Sequence, residues 1–334
     1  MPYISYEDWR PQASTLAIIH QANSIAQQYG AMGYSLTLRQ LYYRFVAADI
    51  ISNDQQSYNR LGTIVSKARM AGMIDWDHIE DRTREHHEPP SWRSPAEILR
   101  SAQYSYAEDL WATQPFRPEI WVEKDALVDV IGQAADKRSA PYFSCRGYTS
   151  QSAMWRAGQR MVGHLLHNQK PVIIHLGDHD PSGIDMTRDI FDRLHTFIGT
   201  DTRLWDLARK AGFEDPYTWG GELREETISP DDAFTTTAFF AVHRIALNWD
   251  QVEAYNPPPN PTKLSDSRAE GYVQKFGYES WELDALEPQV LDALIIDAMD
   301  ELIDEEAWER AEQKQEENRG KIGRAIEQIR EDEE

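Results

Sequence analysis

Apolar residues recur along this chain with two different periods, which predict two kinds of architecture. In the first 71 residues they are spaced three or four apart, as on one face of a helix. This spacing predicts helices at 14–29, 37–48 and 58–71, and the segment 73–84 that follows resembles a strand with a wing. Three helices and a wing predict an N-terminal winged-helix (CAP-like) domain, a module related to helix-turn-helix DNA-binding proteins.

Farther along the chain, short runs of β-branched and aromatic residues alternate with helical segments. The runs that predict strands lie at 120–122, 142–145, 172–176 and 239–242. Strands that alternate with helices are typical of βαβ units. We therefore predict an α/β domain in which a central parallel sheet is flanked by helices.

Acidic residues follow two of these predicted strands directly. Asp178 and Asp180 come just after the run at 172–176, and Glu123 follows the run at 120–122. Ligands of open α/β sheets collect at the carboxyl ends of the strands. If the two strands are neighbours, the carboxylates converge, and like charges at that distance need a cation. Mg²⁺ prefers oxygen ligands and often bridges carboxylates to phosphates, so the pattern indicates magnesium-dependent phosphate chemistry.

Three segments of the chain resemble one known family. Val122-Glu123-Lys124-Asp125-Ala126, together with Gly177-Asp178-His179-Asp180-Pro181-Ser182-Gly183, is similar to the toprim domain of the topoisomerase VI A subunit and its meiotic double-strand-break relatives. The segment 36–44, Leu-Thr-Leu-Arg-Gln-Leu-Tyr-Tyr-Arg, resembles the stretch that carries the DNA-attacking tyrosine of that family, and the segment 281–286 resembles the end of its toprim region.

The resemblance implies a mechanism and a site. Tyr43 would be the nucleophile and form a 5′-phosphotyrosyl bond, and Arg39, one helical turn earlier, would hold the phosphate or stabilise the phenolate. Glu123, Asp178 and Asp180 would hold the magnesium ion. The family also implies a homodimer that breaks both strands of double-stranded DNA, with the tyrosine of one subunit near the metal of the other. Strand passage would need an ATPase B-type subunit in trans.

Basic residues of both predicted domains are candidates for contact with DNA phosphates. They are Arg44, Lys67, Arg69, Arg82, Arg84 and Lys124. Arg39 and Arg44 are also typical of surface ion pairs, and Lys124 has Asp125 as an alternative partner. The net charge of −22 opposes binding of a polyanion, but residues 261–334 hold 22 acidic against 9 basic residues and so carry more than half of the excess.

The predicted domains are a winged helix at 1–90, a connecting helix (95–112) and linker within 91–117, the toprim domain at 118–286 and an acidic helical segment at 287–334. We expect its tail from residue 305 to be a solvated helix or frayed, with packing on a partner subunit as the alternative. The single cysteine and the lack of an apolar run of membrane length favour a cytoplasmic, nucleoid-associated protein.

Two other functions fit the same residues. The first is a hydrolytic toprim nuclease, similar to the nuclease subunit of Wadjet-type plasmid defence complexes, in which water attacks and Tyr43 only packs. The second is a non-catalytic DNA-binding or assembly subunit whose acidic C-terminal helix docks a partner.

Overall fold

A five-stranded sheet at the centre of the molecule confirms the predicted α/β class. The computed structural model describes residues 3–79, 89–210, 212, 234–237 and 239–333. The strands are β1 (Phe116–Val122), β2 (Tyr142–Ser144), β3 (Lys170–Leu176), β4 (Phe234–Thr236) and β5 (Ala241–Ala246). They lie in the order β2-β1-β3-β5-β4, and β4 alone of these five pairs antiparallel.

Alternate residues of the inner strands pack on opposite faces of the sheet. Ile120 and Ile174 face a large core shared with the N-terminal helices, whereas Trp121 and Ile173 face a second, smaller core. Helices cover both faces, and those of the sheet region are α5 (Val128–Lys137), α6 (Gln151–Leu166), α7 (Pro181–Gly199) and α8 (Thr202–Lys210). The apolar runs at 120–122 and 172–176 are therefore strands buried on both sides.

The predicted strand at 239–242 is wrong by several residues. The turn between β4 and β5 occupies the start of that run, where the Thr237 N–H donates to the Phe240 carbonyl at 2.8 Å. The Thr237 hydroxyl oxygen also accepts from the backbone N–H groups of Phe239 and Phe240. Both phenylalanines are buried, so their apolar character reflects the core and not a strand.

The first three helices lie close to where the periodicity predicts them. They are α1 (Ala13–Ala31), α2 (Leu38–Ala47) and α3 (Gln55–Met70). Thr37 begins α2 with a capping box, in which its side chain accepts from the Gln40 N–H and the Gln40 side chain accepts from the Thr37 N–H. The winged helix itself stays a prediction: between 71 and 79 the structure has isolated bridges, Ser5 with Ala71 and Leu36 with Ile79, and residues 80–84 of the proposed wing lie outside the described residues.

The helix predicted to lead into the sheet is shorter than expected. It is α4 (Pro95–Ser105), and the chain then turns so that Trp111 enters the core. The Trp111 indole N–H donates to the Arg138 carbonyl at 2.7 Å. Burial of this ring explains why the helix does not continue to residue 112.

The C-terminal third wraps back over the sheet edge and the N-terminal helices. Its elements are α9 (Trp249–Tyr255), β6 (Asn260–Pro261), α10 (Ala269–Phe276), β7 (Glu279–Ser280), α11 (Pro288–Asp300) and α12 (Glu305–Glu333). β6 pairs antiparallel with β7, and a short 3-10 helix, Leu283–Ala285, precedes α11.

From residue 305 the tail is the expected helix, but one of its faces is not solvated, because α12 packs on α4 of the same chain. Trp308 meets Trp111 edge to face with ring centroids 5.3 Å apart. Farther along, Arg319 donates to the Tyr106 carbonyl at 3.0 Å, and Lys314 pairs with Glu108. In the described part of the chain, no helix is long and apolar enough to cross a membrane.

Candidate functional site

The ends of β1 and β3 bring the predicted carboxylates together. The two strands pair in parallel up to Val122 and Leu176, so the residues that follow them are neighbours. The Glu123 carboxylate accepts a hydrogen bond from the Asp178 N–H at 2.9 Å. The expected adjacency of these two strand ends is thus present, and their role as metal ligands stays a prediction.

Asp180 begins α7 and fixes the loop that carries both aspartates. Its carboxylate accepts from the Gly183 N–H at 2.6 Å, which caps the helix. Gly183 lies so close to Asp178 that a Cβ there would stand 2.2 Å from the Asp178 carbonyl oxygen. Only glycine fits at this approach, because any side chain would push the Asp178 backbone away.

A buried arginine on β5 supports the same loop from below. The Arg244 guanidinium donates to the carbonyls of Gly177 and Asp178, at 3.0 and 2.6 Å, and to the Thr187 hydroxyl at 2.9 Å. Burial lowers the pKa of Arg244 to about 10, while the nearby carboxylates oppose that shift. The side chain satisfies its buried donors with carbonyl oxygens and holds the turn after β3 in place.

A backbone bridge adds two further acidic residues that the sequence analysis did not assign to the site. His179 and Trp281 pair antiparallel, which lays the segment after Trp281 against Asp178. The Leu283 N–H donates to the Asp178 carboxylate at 2.8 Å. We call the resulting cluster the acidic centre; its members are Glu123, Asp178, Asp180, Glu282 and Asp284.

The side chain of Lys124 lies inside the acidic centre. Its ammonium is 2.9 Å from the Asp178 carboxylate, 2.6 Å from that of Glu282 and 3.0 Å from that of Asp284. Burial alone would lower the pKa of Lys124, but the three carboxylates outweigh it and raise that pKa above its usual range. Asp125, the alternative partner for Lys124, binds Ser144 and Arg146 instead.

Burial raises the pKa of two carboxylates of the acidic centre, Asp178 and Glu123. It raises the pKa of Asp178 to about 7, against the opposing effect of Lys124 and with a further increase from Glu123. The pKa of Glu123 is raised as well, again chiefly by burial. Carboxylates with raised pKa values in a cleft are typical of sites that take a cation or exchange protons.

The carboxylates of the acidic centre are ligands that suit magnesium, but they do not form a complete coordination site. Among the residues that the structure describes, no group of three or more His, Cys, Asp or Glu side chains has the arrangement of a metal site. Magnesium often uses one or two protein carboxylates together with waters and substrate phosphates, so Glu123 and Asp178 suit it without a third ligand in place.

Tyr43 lies next to the acidic centre, joined to it by Arg39. The Arg39 guanidinium is 3.5 Å from the Tyr43 hydroxyl, pairs with Glu282 and is 3.0 Å from the Asp284 carboxylate. The Tyr43 side chain is 4% exposed. Burial, Asp284 and Glu282 raise its pKa to about 12, and Arg39 only partly offsets them.

Tyr43 and Arg39 line a polar cavity of about 250 Å³. The other lining residues are Tyr42, Asn53, Asp54, Gln55, Tyr58, Asn260 and Glu282. Asn260 belongs to the proline-rich segment 256–261, and its side-chain oxygen accepts from the Asn53 amide at 2.8 Å. Residues of the N-terminal region and of the C-terminal third therefore both line the cavity.

The predicted DNA contacts are in different environments. Arg44 pairs with Glu287 at 2.8 Å, and Arg69 donates to the Trp76 carbonyl while its guanidinium covers the Trp76 ring. Lys67 is exposed near the end of α3. Lys124 faces the acidic centre, and Arg82 and Arg84 lie outside the described residues.

Comparison with known proteins adds no relative to this picture. The chain matches no protein-family model. A search of the curated proteins also finds no significant match. The family resemblance consequently depends on the segments around Tyr43, Glu123, Asp178 and Glu282, and on how they meet in the fold.

Proposed function

We propose that this protein cleaves DNA by attack of the Tyr43 hydroxyl on a backbone phosphodiester. The Tyr43 oxygen forms a bond to phosphorus, the bond from phosphorus to the 3′ oxygen breaks, and the phenolic proton ends on that oxygen. The products are a 5′-phosphotyrosyl bond and a free 3′ hydroxyl. The phosphotyrosyl bond conserves the energy of the broken phosphodiester, so the DNA break can be resealed.

One observation carries the proposal: a hydrogen bond followed by a series of ion pairs connects Tyr43 to the carboxyl ends of the strands. Tyr43 contacts Arg39, Arg39 contacts Glu282, and Glu282 shares Lys124 with Asp178. The three segments that resemble the topoisomerase VI A subunit are far apart in sequence and meet here. If the three short motifs resembled the family only by chance, there would be no reason for them to meet in the fold.

Glu123, Asp178 and Asp180 would hold a magnesium ion in this proposal. When bound, the ion would supply positive charge beside the scissile phosphate and the leaving 3′ oxygen. The chain's own residues do the rest: Arg39 orients the phenol and contacts the phosphate, and Arg244 holds the aspartate loop in shape.

The raised pKa of Tyr43 favours a second candidate, hydrolysis by water at the same acidic centre. A phenol with a pKa of about 12 is a weak nucleophile at neutral pH unless a bound phosphate or cation changes its surroundings. In this alternative Tyr43 and Tyr42 serve as packing, with ring centroids 5.3 Å apart.

The test is to incubate the protein with supercoiled plasmid and Mg²⁺, denature it, and extract with phenol with and without protease. We expect DNA to stay at the interface unless protease is added, and Tyr43→Phe to abolish both this adduct and strand breakage. Tyr42→Phe is the matched control: it removes a neighbouring hydroxyl that binds Asn53 at 2.9 Å, and it should retain cleavage.

Other outcomes separate the alternatives. Cleavage that survives Tyr43→Phe but is lost in the double variant Asp178→Ala with Asp180→Ala would support hydrolysis. DNA binding without cleavage by the wild-type protein would support a non-catalytic subunit. A homodimer, an ATPase B-type partner and a nucleoid location remain parts of the proposal that follow from the family resemblance.

A further inference from the structure

The ammonium of Lys124 fills a cation position inside the acidic centre. Its Nζ atom is bound by three carboxylates at once, those of Asp178 at 2.9 Å, Glu282 at 2.6 Å and Asp284 at 3.0 Å. The Lys124 side chain is mostly buried, so water does little to screen these contacts. Several carboxylate oxygens around one positive charge are also what a hard divalent ion binds. Here a side chain of the protein itself is the bound cation.

Asp178 belongs both to this position and to the predicted magnesium site. Its Oδ1 atom accepts from the Leu283 N–H at 2.8 Å and contacts the Lys124 ammonium. Among the residues that the structure describes, no donor binds the Asp178 Oδ2 atom. A carboxylate with two such oxygens can bridge two cations. In two-metal sites the ions lie about 3.5–4 Å apart, a separation that one shared carboxylate spans.

Glu123 and Asp180 also use one oxygen each for the backbone. Glu123 Oε2 accepts from the Asp178 N–H at 2.9 Å, and Asp180 Oδ1 accepts from the Gly183 N–H at 2.6 Å. In the described part of the chain, neither Glu123 Oε1 nor Asp180 Oδ2 accepts a hydrogen bond. The backbone donors therefore orient both carboxylates and leave one oxygen of each for an ion.

Glu282 and Asp284, by contrast, are already neutralised by side chains. Glu282 Oε2 accepts from both Arg39 and Lys124. Asp284 has Lys124 at Oδ1 and Arg39 at Oδ2, each at 3.0 Å. A second divalent ion at these carboxylates would have to displace the Lys124 ammonium and lie beside the Arg39 guanidinium, where like charges repel.

We propose that the Lys124 ammonium takes the place of a second metal ion, so that each chain binds a single divalent ion through Glu123, Asp178 and Asp180. The inference rests on the magnesium site of the proposed function and specifies how many ions that site takes. It does not depend on which chain supplies the tyrosine, because Lys124 and the carboxylates belong to the sheet edge of one chain.

Counting bound metal in the absence of DNA tests the inference. Wild type and Lys124→Ala are each titrated with Mn²⁺, which takes the same oxygen ligands as Mg²⁺, and free Mn²⁺ is measured by electron paramagnetic resonance. Ions bound elsewhere on this acidic protein are counted in the double variant Asp178→Ala with Asp180→Ala and subtracted. We expect about one ion per chain for the wild type and about two for Lys124→Ala. The second should bind more weakly, because its ligands are spaced for an ammonium.

Two further variants locate the added ion. Lys137→Ala is the matched control, because Lys137 pairs with Asp292 outside the acidic centre, and it should bind as many ions as the wild type. Asp284→Asn combined with Lys124→Ala removes a carboxylate of the Lys124 position and leaves the three proposed ligands intact. The count should then return to that of the wild type, and circular dichroism with Mn²⁺ present verifies that each variant is folded.

The wild-type count decides even if Lys124→Ala does not fold. A single ion per chain supports the inference, whereas two ions in the wild type, or an unchanged count in folded Lys124→Ala, would overturn it. Two ions together with a protease-sensitive DNA adduct would leave the proposed cleavage intact, and one ion without any adduct would do the reverse. A wild type that binds no ion would overturn both this inference and the magnesium site.

Discussion

The acidic centre and the contact between α4 and α12 are both rich in charged side chains, but they are stabilised in opposite ways. In the acidic centre the Asp284 side chain is fully buried, and the Lys124 ammonium lies within 3.0 Å of the carboxylates of Asp178, Glu282 and Asp284. Along α12 the ion pairs are exposed: in the pair of Arg310 with Glu306 the side chains are 69% and 88% accessible. Buried charges are costly to leave unmatched, and exposed ones are not.

The difference explains which groups fix the geometry of each region. Lys124 and Arg39 are the cations that allow several carboxylates to share the sheet edge, so their positions determine where those carboxylates lie. On α12 the apolar contact of Trp308 with Trp111 holds the helix, and its charges chiefly keep the outer face hydrated.

The largest effect is expected from Lys124→Met. The substitution leaves Asp178 and Asp284 buried with one cation fewer, and loss of one partner of a buried ion pair costs about 3–5 kcal/mol. Urea denaturation measures the change in the free energy of unfolding. Lys137→Met is the matched control, because Lys137 pairs with Asp292 alone and its side chain is 48% exposed. Equal losses for the two variants would contradict the comparison.

The second effect is expected from pH, through Asp178. Its pKa is raised from 3.8 to about 7 in the folded protein, so between these values the folded state retains a proton that the unfolded state has released. Stability should therefore fall as pH rises from about 4 to 7, by at most about 1.4 kcal/mol per unit.

Asp178→Asn isolates this contribution from those of other groups. Its unfolding free energy, measured by denaturation at the same series of pH values, should lack the part of the decline that comes from Asp178. If the unfolding free energies of the wild type and the variant changed in parallel with pH, the Asp178 carboxylate would have the same pKa in the folded and the unfolded protein, which contradicts the prediction.

Much of the sheet and its edge was predictable, because buried parallel strands leave continuous apolar runs. The runs at 120–122 and 172–176 place Glu123 and Asp178 side by side through strand pairing. The sequence does not identify Glu282 and Asp284 as site residues, although the segment 281–286 resembles the end of the toprim region of the topoisomerase VI A subunit. They reach the site through the bridge of His179 with Trp281, a contact between distant segments that no local pattern encodes.

The packing of the acidic tail on α4 could not be predicted from the local sequence either. Charge density after residue 305 predicts a solvated segment, although Trp308 and the buried Ile326 interrupt the charged residues. Whether that ring meets a partner on the same chain depends on where Trp111 lies, which is fixed by the end of α4 and the turn after it.

The smallest effect is expected from Arg310→Gln on α12. An exposed i,i+4 pair stabilises a helix by about 0.3–0.5 kcal/mol, and added salt should remove even that. Trp308→Ala on the same helix should cost several times more, since it removes the ring that packs edge to face on Trp111. Urea denaturation of both variants at low and high salt tests the pair. A loss for Arg310→Gln as large as that for Trp308→Ala would mean that charge, and not apolar contact, holds α12 in place.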